Sequence, residues 1–161
     1  MDFLNNYKFK DFFVKLFSTC FGLGYFPLFP GAVGVGVGII IAYIIHPLIF
    51  WQKGVITLIL IIFAIPLSTE AEKLFQKKDS KQIIIDEVIG VLIATIWFSN
   101  LSYIFFIEIF LLYGIFDAIK IFPANVVEYL RGGWGIVFDD VISGGYTAII
   151  MMLFLKILSL A

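Results

Sequence analysis

Five long apolar segments make up most of this chain and limit the folds that are open to it. They run near residues 32–50, 54–69, 83–99, 101–122 and 136–159, and a helix of about 20 apolar residues spans the hydrocarbon core of a membrane. The 161 residues are 61% hydrophobic and only 14% charged, which is too apolar for a water-soluble domain. We predict an all-α fold, in which one domain over residues 1–161 forms a small polytopic membrane bundle of about four or five hydrophobic helices.

Three of these segments depart from a simple membrane span. Segment 54–69 is short, and segments 83–99 and 136–159 begin with acidic residues, so we expect their helices to lie only partly in lipid. The glycine-rich stretch GAVGVGVG opens the first segment and places Gly34 and Gly38 four residues apart. This spacing favours close helix packing over a nucleotide-binding loop.

Residues 1–20 have the pattern of an amphipathic helix. Apolar side chains recur at helical spacing and charged side chains occupy the other side; these are Phe9, Phe12, Phe13, Leu16 and Phe17 against Lys8, Lys10, Asp11 and Lys15. We predict a helix that lies on the membrane surface, and the alternative is a helix that packs on the bundle. The segment lacks the apolar run and cleavage site of a secretory signal, so we expect it to be retained.

Several classes of function are excluded by what the chain lacks. A net charge of -1 argues against a nucleic-acid partner, because such binding needs a strongly basic surface. Cys20 is the only cysteine and His46 the only histidine, so we expect no internal disulfide, no zinc cluster and no Ser-His-Asp triad. Phe26 stands where a Cys-x5-Arg phosphate loop beginning at Cys20 would need arginine.

The basic residues predict the orientation of the bundle. If the N-terminus is cytoplasmic, alternation of the segments places nine lysines and arginines inside and two outside, a bias typical of cytoplasmic loops. The inner residues are Lys8, Lys10, Lys15, Lys73, Lys77, Lys78, Lys81, Lys120 and Arg131, and the outer ones are Lys53 and Lys156.

This topology brings acidic residues from three segments to the inner membrane face. They are Asp86, Glu87, Asp117, Asp139 and Asp140, with Lys120 and Arg131 nearby. Clustered carboxylates with a hydrated side suit Mg²⁺, which keeps waters and bridges to phosphate oxygens, and the matching reaction class is phosphoryl transfer. An Asp pair at a helix N-terminus is also a good cap, but two acidic pairs on one face favour a functional cluster.

Four stretches of the chain resemble, in order, the motif blocks of the phosphatidylglycerophosphatase A family. They are FGLGYFPLFPGAVG, DSKQIIIDEVIG, FDAIKIFP and GGWGIVFDDVISG, and they cover most of residues 21–145. The resemblance implies an Mg²⁺-dependent enzyme of the bacterial inner membrane, with a phospholipid substrate. Its implied reaction is hydrolysis of the phosphomonoester of phosphatidylglycerophosphate to phosphatidylglycerol and phosphate at the cytoplasmic face.

The family's functional positions transfer to this chain residue by residue. The resemblance implies catalytic roles for Asp86, Glu87, Asp117, Asp139 and Asp140, and we expect substrate contacts from Lys120, Arg131, Gly22, Gly24, Pro30, Gly31, Gly132 and Gly133. The chain departs from the family pattern at Ala32 and Val35, where hydroxyl residues are usual, at Gly114, where arginine is usual, and at Ile121, where proline is usual. The nucleophile is either an activated water or an aspartate, and a cation carrier or channel lined by the same acids is the alternative from another class.

The residues that follow the Asp pair distinguish its two members. Asp140 is followed three, four and seven positions later by Ser143, Gly144 and Thr147, a small and polar stripe suited to a bundle interior. The corresponding stripe after Asp139 is bulkier. We predict that Asp140 joins Asp86 and Glu87 as a direct metal ligand, and that Asp139 is a helix cap or a less direct contact.

Overall fold

The computed structural model describes residues 2–99 and 102–159, with the side chains of residues 2–7 and 158 left out. The regular structure of these residues is entirely helical, as predicted. The helices are α1 (Asp2–Ser18), α2 (Pro30–Ile45), α3 (Phe50–Phe75), α4 (Ile85–Thr95), α5 (Tyr103–Ile119), α6 (Ala124–Val127) and α7 (Gly133–Leu158). A 3-10 turn over Leu23–Tyr25 lies between α1 and α2.

Helix α4 lies at the centre of the bundle, where it contacts α2, α3, α5 and α7. All of its 11 residues except Glu87 and Ile93 are buried. At 1.5 Å per residue the helix is about 16 Å long, roughly half the thickness of a hydrocarbon core. This agrees with the expectation that segment 83–99 is a bundle helix and does not span a membrane alone.

Glycines allow α2 and α7 to approach α4 closely. A Cβ atom added to Gly38 of α2 would lie 2.8 Å from Cβ of Val91, and one added to Gly34 would also meet α4. On the other side, Gly144 of α7 faces the backbone of Gly90. The predicted packing role of Gly34 and Gly38 is therefore confirmed, and α4 is held between two helices that carry glycine at the contact.

Two helices are long and apolar enough to cross a membrane, as judged from length and composition: α3 and residues 133–157 of α7. Along α3, Val55, Leu58, Ile59 and Ile62 are between 54% and 62% exposed. A stripe of large apolar side chains of this kind is unfavourable in water and normal in lipid. The structure thus indicates membrane association, while the multi-pass arrangement of four or five helices stays a prediction.

Segment 54–69 was expected to be a short helix, and this expectation is wrong. The helix begins at Phe50, passes through Pro66 and ends at Phe75. Apolar periodicity stops after Leu67, but the residues that follow are mostly strong helix formers such as alanine, glutamate, lysine and leucine. The helix propensity of these residues therefore extends α3 beyond the end of its apolar segment.

The amphipathic helix predicted for residues 1–20 is present as α1, apart from Met1, which lies outside the described residues. Its later part packs on α3, with Val14 buried and Phe17 against the core. The rings of Phe9 and Phe12 are exposed, as expected for a helix at a membrane surface. The packing of α1 on the bundle is thus observed, and its position on a membrane surface stays a prediction.

The close contact between α2 and α4 can be tested by replacing Gly38 with valine. We expect the fold to lose roughly 1–3 kcal/mol of stability, the usual cost of overpacking a core. Gly36→Val is the control, because a Cβ added at Gly36 meets no atom within 4 Å. Thermal unfolding of both variants in detergent measures the difference, and equal melting temperatures would show that the fold does not depend on this contact.

Candidate active site

A cavity of about 560 Å³ opens at the end of the bundle where α2 and α4 begin and α5 ends. It is lined by all five acidic residues singled out in the sequence, Asp86, Glu87, Asp117, Asp139 and Asp140, and by Pro30, Gly31 and Lys120. The volume is typical of a small-molecule site. The structure therefore brings the acids of three helices to one place.

The acidic residues of α4 and α5 lie at the ends of their helices. Asp86 and Glu87 are in the first turn of α4, where the helix dipole favours negative charge. Asp117 lies near the end of α5. Helices α2 and α4 begin at the end of the bundle where α5 ends. The carboxylates of Asp86, Glu87 and Asp117 therefore lie close together at that end.

The Asp pair of α7 lies inside its helix. Helix α7 begins at Gly133, so Asp139 and Asp140 are about two turns from its start. Side chains cap a helix only from the positions at its first turn. The predicted role of Asp139 as a cap is therefore wrong, because the glycine-rich stretch before it is already helical.

Lys120 connects α5 to α7 through ion pairs. Its Nζ lies 2.6 Å from Oδ2 of Asp139 and 2.9 Å from Oε2 of Glu128. Burial lowers the pKa of Lys120, but hydrogen bonds to Asp139 and Glu128 outweigh that effect, so the pKa lies above its ordinary value. The side chain is therefore a permanent cation in the cavity wall.

Asp140 is held by a buried tyrosine from α5. The hydroxyl of Tyr113 donates a hydrogen bond to Oδ1 of Asp140, and the Tyr113 ring occupies the space beside Gly90. Ser143 and Thr147 are buried on the same side of α7. The prediction that the small, polar stripe after Asp140 faces the bundle interior is confirmed.

The carboxylates interact electrostatically, and two of their buried oxygens have no hydrogen-bond partner within the part of the chain that the structure describes. The carboxylate of Asp140 is within electrostatic range of Asp86, Asp117 and Asp139. Oδ1 of Asp86 and Oε2 of Glu87 are buried with no hydrogen-bond partner among the described residues. Buried carboxylate oxygens without partners are costly unless a cation compensates them.

The donor chemistry of the cavity fits Mg²⁺, which prefers oxygen ligands. In the described part of the chain, no three histidine, cysteine, aspartate or glutamate side chains stand in a ready-made metal-binding arrangement. Mg²⁺ keeps several waters, however, and is usually bound by one or two carboxylates together with substrate phosphates. The unpartnered oxygens of Asp86 and Glu87 meet this smaller requirement.

The sequence analysis missed several residues around the cavity. Asp79 is a turn residue with φ of 46° that also lines the cavity, as do Lys77 and Lys81. The loop between α3 and α4 carries all three, and helical periodicity cannot predict where a loop folds. Tyr113 precedes Asp117 by one helical turn, so its spacing could have predicted that it faces the site. No sequence pattern predicts the same for Glu128.

Five residues expected to contact substrate are not part of the cavity lining: Gly22, Gly24, Arg131, Gly132 and Gly133. Gly24 packs against the backbone of Gln82. The N–H group of Gly133 donates a hydrogen bond of 2.7 Å to Oγ1 of Thr69, and Arg131 is exposed. Gly24, Gly132 and Gly133 thus pack against neighbouring segments, whereas Gly22 has a positive φ of 90° and packs against no other segment of the described chain.

Three of the departures from the family pattern lie on the cavity wall between α2 and α5, whereas Ile121 is not part of the lining. Ala32 and Val35 come from α2, and Gly114 comes from α5. A Cβ atom added to Gly114 would meet no atom within 4 Å. This wall is consequently apolar and open, in contrast to the acidic wall formed by α4 and α7.

Cys20 is unsuited to nucleophilic chemistry. Burial, together with the charge of Asp86, raises the pKa of its thiol to about 12. The thiolate is the reactive form of cysteine, and it is scarce at neutral pH when the pKa is this high. The environment of Cys20 agrees with the exclusion of a cysteine phosphatase.

Comparison with known proteins identifies the family. The sequence profile of phosphatidylglycerophosphatase A matches residues 16–155. The chain belongs to this family. It is 28% identical over 89% of its length to a Bacteroides thetaiotaomicron protein named "Putative phosphatidylinositol-3-phosphatase", 94% of which is covered. It is 29% identical to a Haemophilus influenzae protein named phosphatidylglycerophosphatase A, over 86% of each chain. No solved structure is detectably similar.

Membership of the phosphatidylglycerophosphatase A family makes the chain an enzyme, a lipid phosphomonoesterase. The predicted class of enzyme is therefore confirmed. The cation carrier or channel has no comparable support, since the five acids meet at one end of the bundle and form no path along it.

The Asp pair of α7 offers a test of the roles within the site. Asparagine keeps the shape of aspartate and removes its charge. We expect Asp140→Asn to lower kcat by about two orders of magnitude or more, and Asp139→Asn to cost roughly tenfold, since outer contacts of a metal site usually cost less than its ligands. Phosphate release by protein that extracts and elutes normally is the measurement.

Two results would contradict this assignment. A larger loss for Asp139→Asn than for Asp140→Asn would reverse the two roles. Full activity in both variants would remove the Asp pair from the catalytic site.

Proposed function

We propose that this protein hydrolyses the phosphomonoester of phosphatidylglycerophosphate, which yields phosphatidylglycerol and phosphate. The observation that carries the proposal is the convergence of five carboxylates and Lys120 in one cavity at the end of an apolar bundle. Family membership supports the reaction, and the name of the Haemophilus influenzae relative supports the substrate.

Mg²⁺ is the proposed cofactor. Asp86 and Glu87 would hold it directly, and Asp140 would be a third ligand that a bound ion would have to draw in, since the described residues form no ready three-carboxylate site. The unpartnered oxygens of Asp86 and Glu87 support this choice. When bound, Mg²⁺ would supply Lewis-acid stabilisation of the negative charge on the phosphoryl group.

The remaining polar residues have separate tasks in this proposal. Lys120 binds and orients the phosphate, while Asp139 and Glu128 fix its ammonium group at the cavity wall. Tyr113 holds Asp140 in place through its hydroxyl. Asp117 lines the cavity and is the carboxylate left to exchange a proton with the attacking water as a general base.

We also propose that the protein crosses the bacterial cytoplasmic membrane several times, with the cavity facing the cytoplasm. The excess of basic residues on the side of the cavity supports this orientation. The count of basic residues from the sequence placed Lys53 in an outer loop, and this placement is wrong. Lys53 is buried and donates a hydrogen bond of 2.8 Å to the carbonyl oxygen of Phe98, so it is not a loop charge, and its removal from the outer side strengthens the bias.

Single cysteines introduced into a Cys20→Ser background test the orientation. Lys77 lines the cavity, and Gln52 is exposed in the first turn of α3, at the opposite end of the bundle. In intact cells we expect a membrane-impermeant maleimide to label Gln52→Cys and to reach Lys77→Cys only after permeabilisation. The reverse pattern would place the cavity on the outer face.

Phosphate release from phosphatidylglycerophosphate by the purified protein tests the function itself. We expect activity that disappears on chelation and returns with added Mg²⁺, because the buried carboxylates need a cation. Activity that is unaffected by chelation would argue against the proposed cofactor. Absence of phosphate release in the presence of Mg²⁺ would argue against the proposed substrate.

The name of the Bacteroides thetaiotaomicron relative favours phosphatidylinositol 3-phosphate as a second candidate substrate. The comparison of kcat/KM for the two lipids decides between them. We expect a higher value for phosphatidylglycerophosphate, because its phosphate sits on a flexible glycerol arm that can reach Lys120. A higher value for the inositol lipid would assign the chain to the second activity.

A further inference from the structure

We propose that the seam between α2 and α5 is the binding groove for an acyl chain of the lipid substrate. This inference rests on the proposed function, since it assumes a lipid phosphomonoester. The seam is an apolar surface that takes no part in the proposed phosphate chemistry, and the inference gives it a role in binding the lipid.

The seam contains two hollows. The first is the apolar wall of the acidic cavity, formed by Ala32 and Val35 of α2 and by Phe110, Gly114 and Ala118 of α5. The second has a volume of about 330 Å³ and is lined by Ile39, Ile40, Tyr43, Tyr103 and Phe106. Both hollows lie between the same two helices.

The two hollows follow one another along the seam. Residue numbers in the linings rise along α2 and fall along α5, so the second hollow lies farther from the acidic end on both helices. From Gly31 in the cavity to Ile40 in the second hollow, α2 advances about 14 Å, which is the length of roughly ten extended methylene groups.

The chemistry of the seam fits a hydrocarbon chain. Its acidic end takes a phosphate with its cation, whereas the lining of the second hollow is aliphatic and aromatic apart from two tyrosine hydroxyls. A phospholipid carries a phosphate and acyl chains on one glycerol, so a phosphate at Lys120 leaves a chain to be placed nearby. The exposed side chains of Ile40 and Phe110 leave the seam open at the side, where a lipid enters directly from a bilayer.

Filling the second hollow tests the groove. Ile40→Trp enlarges a side chain that lines it and that is far from the acidic residues. Ile59→Trp on α3 is the matched control, because Ile59 is 59% exposed against 60% for Ile40 and lines none of the described cavities near the seam. Both variants are assayed with dihexanoyl and dipalmitoyl phosphatidylglycerophosphate, and each rate is divided by that of the unmodified protein.

We expect the effect of Ile40→Trp to depend on chain length. Each buried methylene group contributes about fourfold to binding, so the loss of two or more contacts lowers kcat/KM for the dipalmitoyl lipid at least about tenfold. The dihexanoyl lipid is too short to reach the hollow, and its kcat/KM stays within about twofold. Ile59→Trp leaves both substrates unaffected.

The outcomes separate this inference from the proposed function. Equal losses for the two chain lengths, no loss for either, or the same length dependence in Ile59→Trp would overturn the groove while leaving the phosphatase intact. No phosphate release by the unmodified protein from either lipid would overturn the proposed function itself.

Discussion

The close approach of α4 to α2 and α7 is the constraint on which the rest of the structure depends. Gly34 and Gly38 on one side and Gly144 on the other leave no room for side chains at these contacts. Because α4 is short and almost fully buried, its first turn also lies inside the bundle and not in solvent. Asp86 and Glu87 consequently face the acids of α5 and α7.

This packing places like charges together at an energetic cost. Carboxylates buried near one another repel and lose hydration, and Lys120 partly offsets them through its ion pair with Asp139. Breaking a buried charge network is usually strongly destabilising. The cation and the anionic substrate of the proposed function would supply the missing compensation.

In the proposed function, the two walls of the cavity bind different parts of a phospholipid. Helices α4 and α7 present the carboxylates, whereas α2 and α5 present Ala32, Val35 and Gly114. Lys77, Asp79 and Lys81 come from the loop between α3 and α4. Charge is thus concentrated at the end of the bundle and apolar surface along its side, which is the distribution that a phospholipid itself has.

The sequence by itself determined the helical class, the packing glycines of α2, the five acids and the family motifs, because these depend on local periodicity and residue type. It did not determine the true length of α3, the burial of Lys53 or the position of Asp139 inside α7, away from the start of that helix. Only the tertiary structure decided that Tyr113 holds Asp140, that Glu128 shares Lys120, and that Gly22, Gly24 and Arg131 lie off the cavity lining. The physical reason is that hydrogen bonds and ion pairs between helices depend on how those helices are rotated and how deeply they pack, and helical periodicity in one segment carries no information about either.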